Sequence, residues 1–217
     1  MLQYTSRVSF INAIFLILIM ATENQETLLV PLENYLKAGL HIGTKFRTKY
    51  MAPFIYKVRN DGLSVLNVQE VDNRINIASK FLSQYAPEEI LVVCRRENGW
   101  QAVKMFSKAT GIRVFAGRYT PGALTNANLK EFFEIKLLLV TDPWPDKNIV
   151  DDALTLGIPV IALCDTNNTS NGIDFVVPCN NKGKKSLGLI FWIFSNEYLK
   201  NRNLGKLKAT IEDFTAD

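Results

Sequence analysis

The chain has 217 residues, 47% of them apolar, with a formal net charge of +4. This length supports one domain with a sizeable core, and this apolar content excludes a disordered polymer. A net charge so close to zero does not by itself call for nucleic acid, so the placement of charge says more than its sum.

At the amino terminus Arg7 precedes a largely apolar run, Val8 to Met20. The run resembles the apolar region of a signal peptide. It is short for a membrane-spanning helix, however, and no small-residue cleavage site follows. Met20-Ala21-Thr22-Glu23 reads as a second, more ordinary protein start. Residues 1–19 are therefore read as an extension from a misassigned start codon. Residues 20–31 are read as an arm, 32–205 as the domain and 206–217 as a tail.

A helix is expected over Leu32–Ala38, stopped by Gly39. No acid then occurs between Glu33 and Asp61, whereas Lys37, Lys45, Arg47, Lys49, Lys57 and Arg59 all do. A charge run is usually a solvated face. One of a single sign, interleaved with Phe46, Tyr50, Phe54 and Tyr56, fits a polyanion better.

From residue 60 short apolar runs alternate with helical patterns. Strands are expected at Leu63–Val68, Ile90–Cys94, Ile112–Ala116, Leu137–Thr141, Val160–Leu163 and Phe175–Val177. Several are continuous apolar runs, as parallel strands covered on both faces require. Val71, Ile75, Ala78 and Leu82 repeat at helical spacing. Further helices are expected over about Trp100 to Ala109, Asn148 to Leu156 and Ser186 to Lys200, the first two stopped at Gly111 and Gly157. The alternation predicts one α/β domain, a parallel sheet with helices on both faces.

In such sheets the working loops lie beyond the carboxyl ends of the strands. Here they carry Arg95-Arg96, then Gly117-Arg118-Tyr119, then Asp142-Pro143-Trp144-Pro145-Asp146, then Asp165-Thr166-Asn167-Asn168. The last loop is Asn180-Asn181-Lys182-Gly183-Lys184-Lys185-Ser186, which opens a helix. Free N–H groups and three lysines at a helix start suit phosphate. The loop is not a Walker A sequence, since Pro178 holds the first glycine position and Lys185 follows Gly183-Lys184.

Enzyme signatures are weak. Leu63–Val68 is followed by Gln69-Glu70-Val71-Asp72, without the glycines of a dinucleotide fold, and no G-x-S-x-G occurs. Asp142, Asp146 and Asp165 could form a Mg²⁺ cluster at the strand ends, but the reading we favour is that they are turn and cap residues. The one histidine, His41, has apolar neighbours and reads as a structural donor. Cys94, Cys164 and Cys179 form no C-x-x-C pair and offer no zinc set; Cys94 and Cys164 end apolar runs and fit buried thiols, as in a reducing compartment.

Four segments in order resemble one family: Leu32 to Gly43, Gly117 to Asn126, Val140 to Asn167 and Pro178 to Gly183. The chain is similar to the small-subunit ribosomal protein S2 family over about residues 28 to 202. The resemblance implies a flavodoxin-like sheet without catalysis, cofactor or metal. It implies binding to small-subunit rRNA between head and body, with neighbouring small-subunit ribosomal proteins as partners. It also implies a cytoplasmic location in the small ribosomal subunit, no membrane, no obligate homo-oligomer, and a role in subunit assembly and translation. Bacterial members insert a long helical hairpin after the segment matching Leu124-Thr125-Asn126; only ten residues separate Asn126 from Leu137 here. Eukaryotic members carry a long acidic extension, whereas this sequence stops at Asp217, so it looks like the archaeal branch.

The expected rRNA contacts are Lys45, Arg47, Lys49, Lys57, Arg59, Arg95, Arg96, Arg118, Lys182, Lys184 and Lys185, because structured RNA is read largely through its backbone. Tyr119 and Tyr56 are expected to stack on unpaired bases, with buried packing as the alternative for each. Two other classes stay open: a nucleotide- or phosphometabolite-binding enzyme using Asp142, Asp165 and the lysine loop, and a membrane or extracellular receptor.

Overall fold

Five apolar runs become the parallel sheet: β3 (Ile90–Cys94), β4 (Arg113–Ala116), β5 (Leu137–Val140), β6 (Val160–Cys164) and β7 (Phe175–Pro178). The computed structural model describes residues 28–130 and 132–215. The extension expected over residues 1–19, and most of the 20–31 arm, fall outside the described residues. The sheet order is β4-β3-β5-β6-β7, every neighbouring pair parallel. Strands β3, β5, β6 and β7 are buried at every position, as strands covered on both faces must be. β4 is an edge and exposes Arg113. This is the doubly wound order whose direction reverses between β3 and β5.

Among the described residues, five α-helices accompany the strands: α1 (Leu32–Ala38), α2 (Val68–Leu82), α3 (Trp100–Thr110), α4 (Lys147–Leu156) and α5 (Lys184–Asn201). Helices α2 and α3 both pack on α5, and α2 also covers β7. The crossovers β3-α3-β4 and β5-α4-β6 run in opposite directions along the sheet. Right-handed connections therefore place α4 on the face opposite α3. The Asn67 side chain caps α2 by accepting from Gln69 N, and Val71, Ile75, Ala78 and Leu82 are fully buried on its inner face. Gly39, Gly111 and Gly157 end α1, α3 and α4 in the left-handed conformation.

Helix α5 is apolar nearly all round and runs through the helical layer, where Phe191 meets Phe106 edge-on at 5.5 Å. Residues 206–215 fold back over it. Phe214 is fully buried, and a Cβ on Gly188 would stand 2.3 Å from Thr215 Cγ2. Only a glycine lets the returning backbone approach this closely.

One expected strand is corrected. Leu63–Val68 does not join the parallel sheet. Ser64–Leu66 (β2) pairs antiparallel with Ile55–Val58 (β1), forming a separate ribbon. The connection, with Gly62 N donating to Arg59 O at 2.9 Å, is too short for a parallel crossover. Among the described residues, 117–136 form turns and extended chain, with no helical hairpin between β4 and β5.

Candidate nucleic-acid interface

The cationic run, residues 44–59, leaves α1 as an arm distinct from residues 20–31 and is fastened to the carboxyl edge of the sheet. Gly43 N donates to Ser64 O at 2.8 Å, and Thr44 N to Thr166 Oγ1 at 2.9 Å. Thr48 N donates to Thr166 O, and Thr48 Oγ1 to Asn168 O, both at 2.9 Å. A Cβ on Gly43 would lie 2.5 Å from Thr166 Cγ2, so the seam is close-packed. Lys45, Arg47 and Lys49 are exposed, with the exposed rings of Phe46 (79%) between the first two and Tyr50 directly after the third. Lys57 and Arg59 project from the β1–β2 ribbon, Lys57 standing 6.0 Å over the exposed Tyr56 ring. Arg59 has an acidic partner, Asp61 at 3.6 Å, but both are half exposed, and such a pair contributes under about 1 kcal/mol.

The loops beyond the strands form a second polar region of opposite character. Arg96 Nε donates to Asp142 Oδ2 at 2.6 Å, and Nη2 completes the same ion pair. Asp142 Oδ1 accepts from Asn168 Nδ2 and Trp144 N, each at 3.0 Å. Asn181 Nδ2 donates to Leu163 O at 3.0 Å and to Asn168 Oδ1 at 3.1 Å. Lys182 Nζ holds Asp165 Oδ2 at 2.8 Å and Asn167 Oδ1 at 2.9 Å. Arg95 N donates to Asp146 Oδ2 at 3.2 Å, and its Nη1 to Pro145 O at 2.9 Å. Burial pushes the Asp146 carboxyl up to about 6, with nearby Asp142 adding to the rise and the Arg95 N–H opposing it.

This network fills the place where a doubly wound sheet binds ligands. The crevice at the reversal between β3 and β5 is occupied by the Arg96–Asp142 pair. Asp142, Asp146 and Asp165 are each turned onto a protein donor rather than toward one another. Among the described residues, no group of three or more His, Cys, Asp or Glu is placed to hold a metal ion. Cys94, Cys164 and Cys179 are buried thiols. Burial pushes Cys94 up to about 11 and raises the other two, leaving little nucleophilic thiolate. His41 Nδ1 is buried and has no partner among the described residues, so that nitrogen is not the structural donor expected of it.

The expected RNA contacts therefore divide. Lys45, Arg47, Lys49, Lys57, Arg59, Arg95, Arg118 and Lys185 are exposed. Arg96 and Lys182 are about two-thirds buried and tied to Asp142 and Asp165, so their charge is answered within the protein. Lys184 is half-buried in the first turn of α5. Tyr119 is corrected: it is 3% exposed, its hydroxyl donates to Asp152 Oδ2 at 2.9 Å and accepts from Leu124 N at 3.0 Å, and its ring cannot stack on a base. Arg118 lies apart, after β4, three strand spacings or roughly 14 Å from the β6 loop. The arm and the lysine loop do come together, since Thr166 anchors the former and its neighbour Asp165 holds Lys182. Sequence reasoning missed the tether, Thr44, Thr48, Thr166 and Asn168, whose small polar side chains mark nothing locally. It also missed Trp144, 71% exposed between two prolines.

An α/β domain with its ligand crevice closed and its cations displayed on a pinned arm has the character of a binding domain. The profile described as "Ribosomal protein S2" matches residues 35–134 and 134–200, and the chain belongs to that family. It is 51% identical over 190 residues to the "Small ribosomal subunit protein uS2" of Nanoarchaeum equitans, covering 86% of this chain and 94% of that one. It is 43% identical over 195 residues to the protein of the same name from Thermoplasma acidophilum, covering 88% and 98%. The namesake from Staphylothermus marinus is 48% identical over 177 residues, covering 82% and 80%.

Proposed function

We propose that this protein is a structural constituent of the small ribosomal subunit that binds its rRNA between head and body and supports subunit assembly and translation. One observation carries the RNA contact. Lys45, Arg47 and Lys49 are exposed on a segment hydrogen-bonded to the sheet edge, so their charges are displayed on a held backbone. Phosphate contacts from such a backbone position the protein without reading sequence. Lys57, Arg59, Arg95, Arg118 and Lys185 extend the cationic surface, and neighbouring subunit proteins are the remaining partners. No described helix is long and apolar enough to cross a membrane. The location proposed is cytoplasmic, within the subunit.

The test replaces Lys45, Arg47, Lys49, Lys57 and Arg59 together by glutamine and measures binding to small-subunit rRNA across a salt series. Each phosphate left without its cation lowers the salt slope by roughly 0.7 to 0.9, so the slope should fall by about 3.5 to 4.5 and incorporation into subunits should weaken. An unchanged slope with unchanged incorporation overturns the reading.

A further inference from the structure

We infer that the groove beneath Trp144 holds one unpaired base of an RNA strand, stacked on the indole. The inference deepens the RNA-binding reading and rests on it. The groove measures about 380 Å³ and runs between α4 and the loop after β6. Val150 and Leu154 form its apolar floor, closed by the backbone of Gly172, where a Cβ would lie 2.6 Å from Leu154 Cδ1. Lys147, Asn167 and Asn171 stand on the rim, Lys147 and Asn171 exposed.

Trp144 is 71% exposed on a fixed backbone: its main-chain N–H donates to the buried Asp142 at 3.0 Å, Pro143 and Pro145 flank it, and Pro145 O accepts from Arg95 Nη1 at 2.9 Å. A large apolar ring held in water by a satisfied loop is a stacking platform, and a base offers it a π face with a polar edge. The rim amides suit that edge, and Lys147 suits the phosphate that follows it. Continuity with the cationic arm favours RNA over a protein side chain. Asn167 on the rim accepts from Lys182, and the next residue, Asn168, accepts from Thr48 of the arm. A strand leaving the arm reaches the groove along a single loop.

The three tryptophans are Trp100, Trp144 and Trp192, and the other two are packed against the core. Emission from Trp144 therefore reports the groove, with Trp144→Phe supplying the background. The full chain is titrated with a short single-stranded oligoadenylate and, separately, with small-subunit rRNA. Both should quench Trp144 emission. Trp144→Leu keeps apolar area but no stacking face; it should lower affinity for both about tenfold, with melting temperature and salt slope unchanged. Trp144→Phe should retain most of the affinity.

If rRNA binds with the full salt slope while Trp144 emission stays constant and Trp144→Leu binds normally, the groove is not a base site and the RNA-binding reading stands. Loss of subunit incorporation in Trp144→Leu with intact RNA affinity would assign the groove to a neighbouring protein and overturn the inference. Failure of any RNA to bind removes both.

Discussion

The cationic arm and the loop network at the sheet edge are bonded to each other, and both carry Lys and Arg, yet they are opposites. On the arm the cations stand in water; among the described residues, Arg59 alone of Lys45, Arg47, Lys49, Lys57 and Arg59 is paired with an acid, and that acid is about as exposed as itself. In the network Arg96 and Lys182 meet Asp142 and Asp165, which are 1% exposed. A buried carboxylate must be answered by a donor, whereas an exposed lysine is answered by water until a polyanion replaces it. The residue type is the same in the two regions; the burial of the partner decides whether it holds the fold or awaits a ligand.

The comparison breaks hardest at Asp142. Arg96→Ala leaves this carboxylate buried with only an amide and a backbone N–H. Removing one partner of a buried pair costs about 3 to 5 kcal/mol, less some screening because Arg96 is partly exposed. Denaturant unfolding should show a lower midpoint with an unchanged slope. Neutralising the five arm cations should leave the midpoint nearly in place. Equal destabilisation by the two variants would erase the distinction.

Within the lysine loop the same contrast runs over three residues. Lys182→Ala strips Asp165 of its cation and should cost roughly 2 kcal/mol of stability while changing rRNA affinity little. Lys185→Ala removes an exposed cation; it should leave stability within about 0.5 kcal/mol and lower the salt slope of rRNA binding by roughly 0.7 to 0.9. Thermal melts beside salt titrations of both variants decide it, and exchanged phenotypes would invert the assignment.

The parallel strands are legible in the sequence because burial on both faces forces continuous apolar runs, and the helix ends because glycines mark them. The ribbon strand Ile55–Val58 is not, since only Ile55 is even partly buried and its remaining residues look like more of the charged run. The arm can be read as a one-sign stretch. The partners of Arg96 and Lys182 cannot: they lie 46 and 17 residues away and meet only because parallel strands deliver their loops to one edge. The burial of Tyr119 is hidden for the same reason, its partner Asp152 being 33 positions on. Trp144 does carry a local signal, an aromatic between two prolines, but among turn residues that signal points to a turn before it points to a platform.

The smallest effect sharpens the comparison from inside the network, at Asp146, whose carboxyl burial drives toward neutrality. Asp146 is 3% exposed, and its carboxyl is held at about 6 against roughly 4 for a free aspartate. A folded pKa raised above the unfolded one means that the native state binds the proton more tightly. This contribution is fully present below about pH 4 and is lost as pH rises through about 6. Between pH 7 and pH 5 protonation of Asp146 should therefore add about 1 kcal/mol to folding. Asp72, also raised by burial, acts in the same direction, so the isolating measurement is a difference. Asp146→Asn can still accept the Arg95 N–H but cannot titrate. Its stability relative to the parent should be greatest at pH 7 and shrink toward pH 5. A difference that stays flat across that range would show that Asp146 is solvated as an ordinary carboxylate, and that the edge network is open to water like the arm.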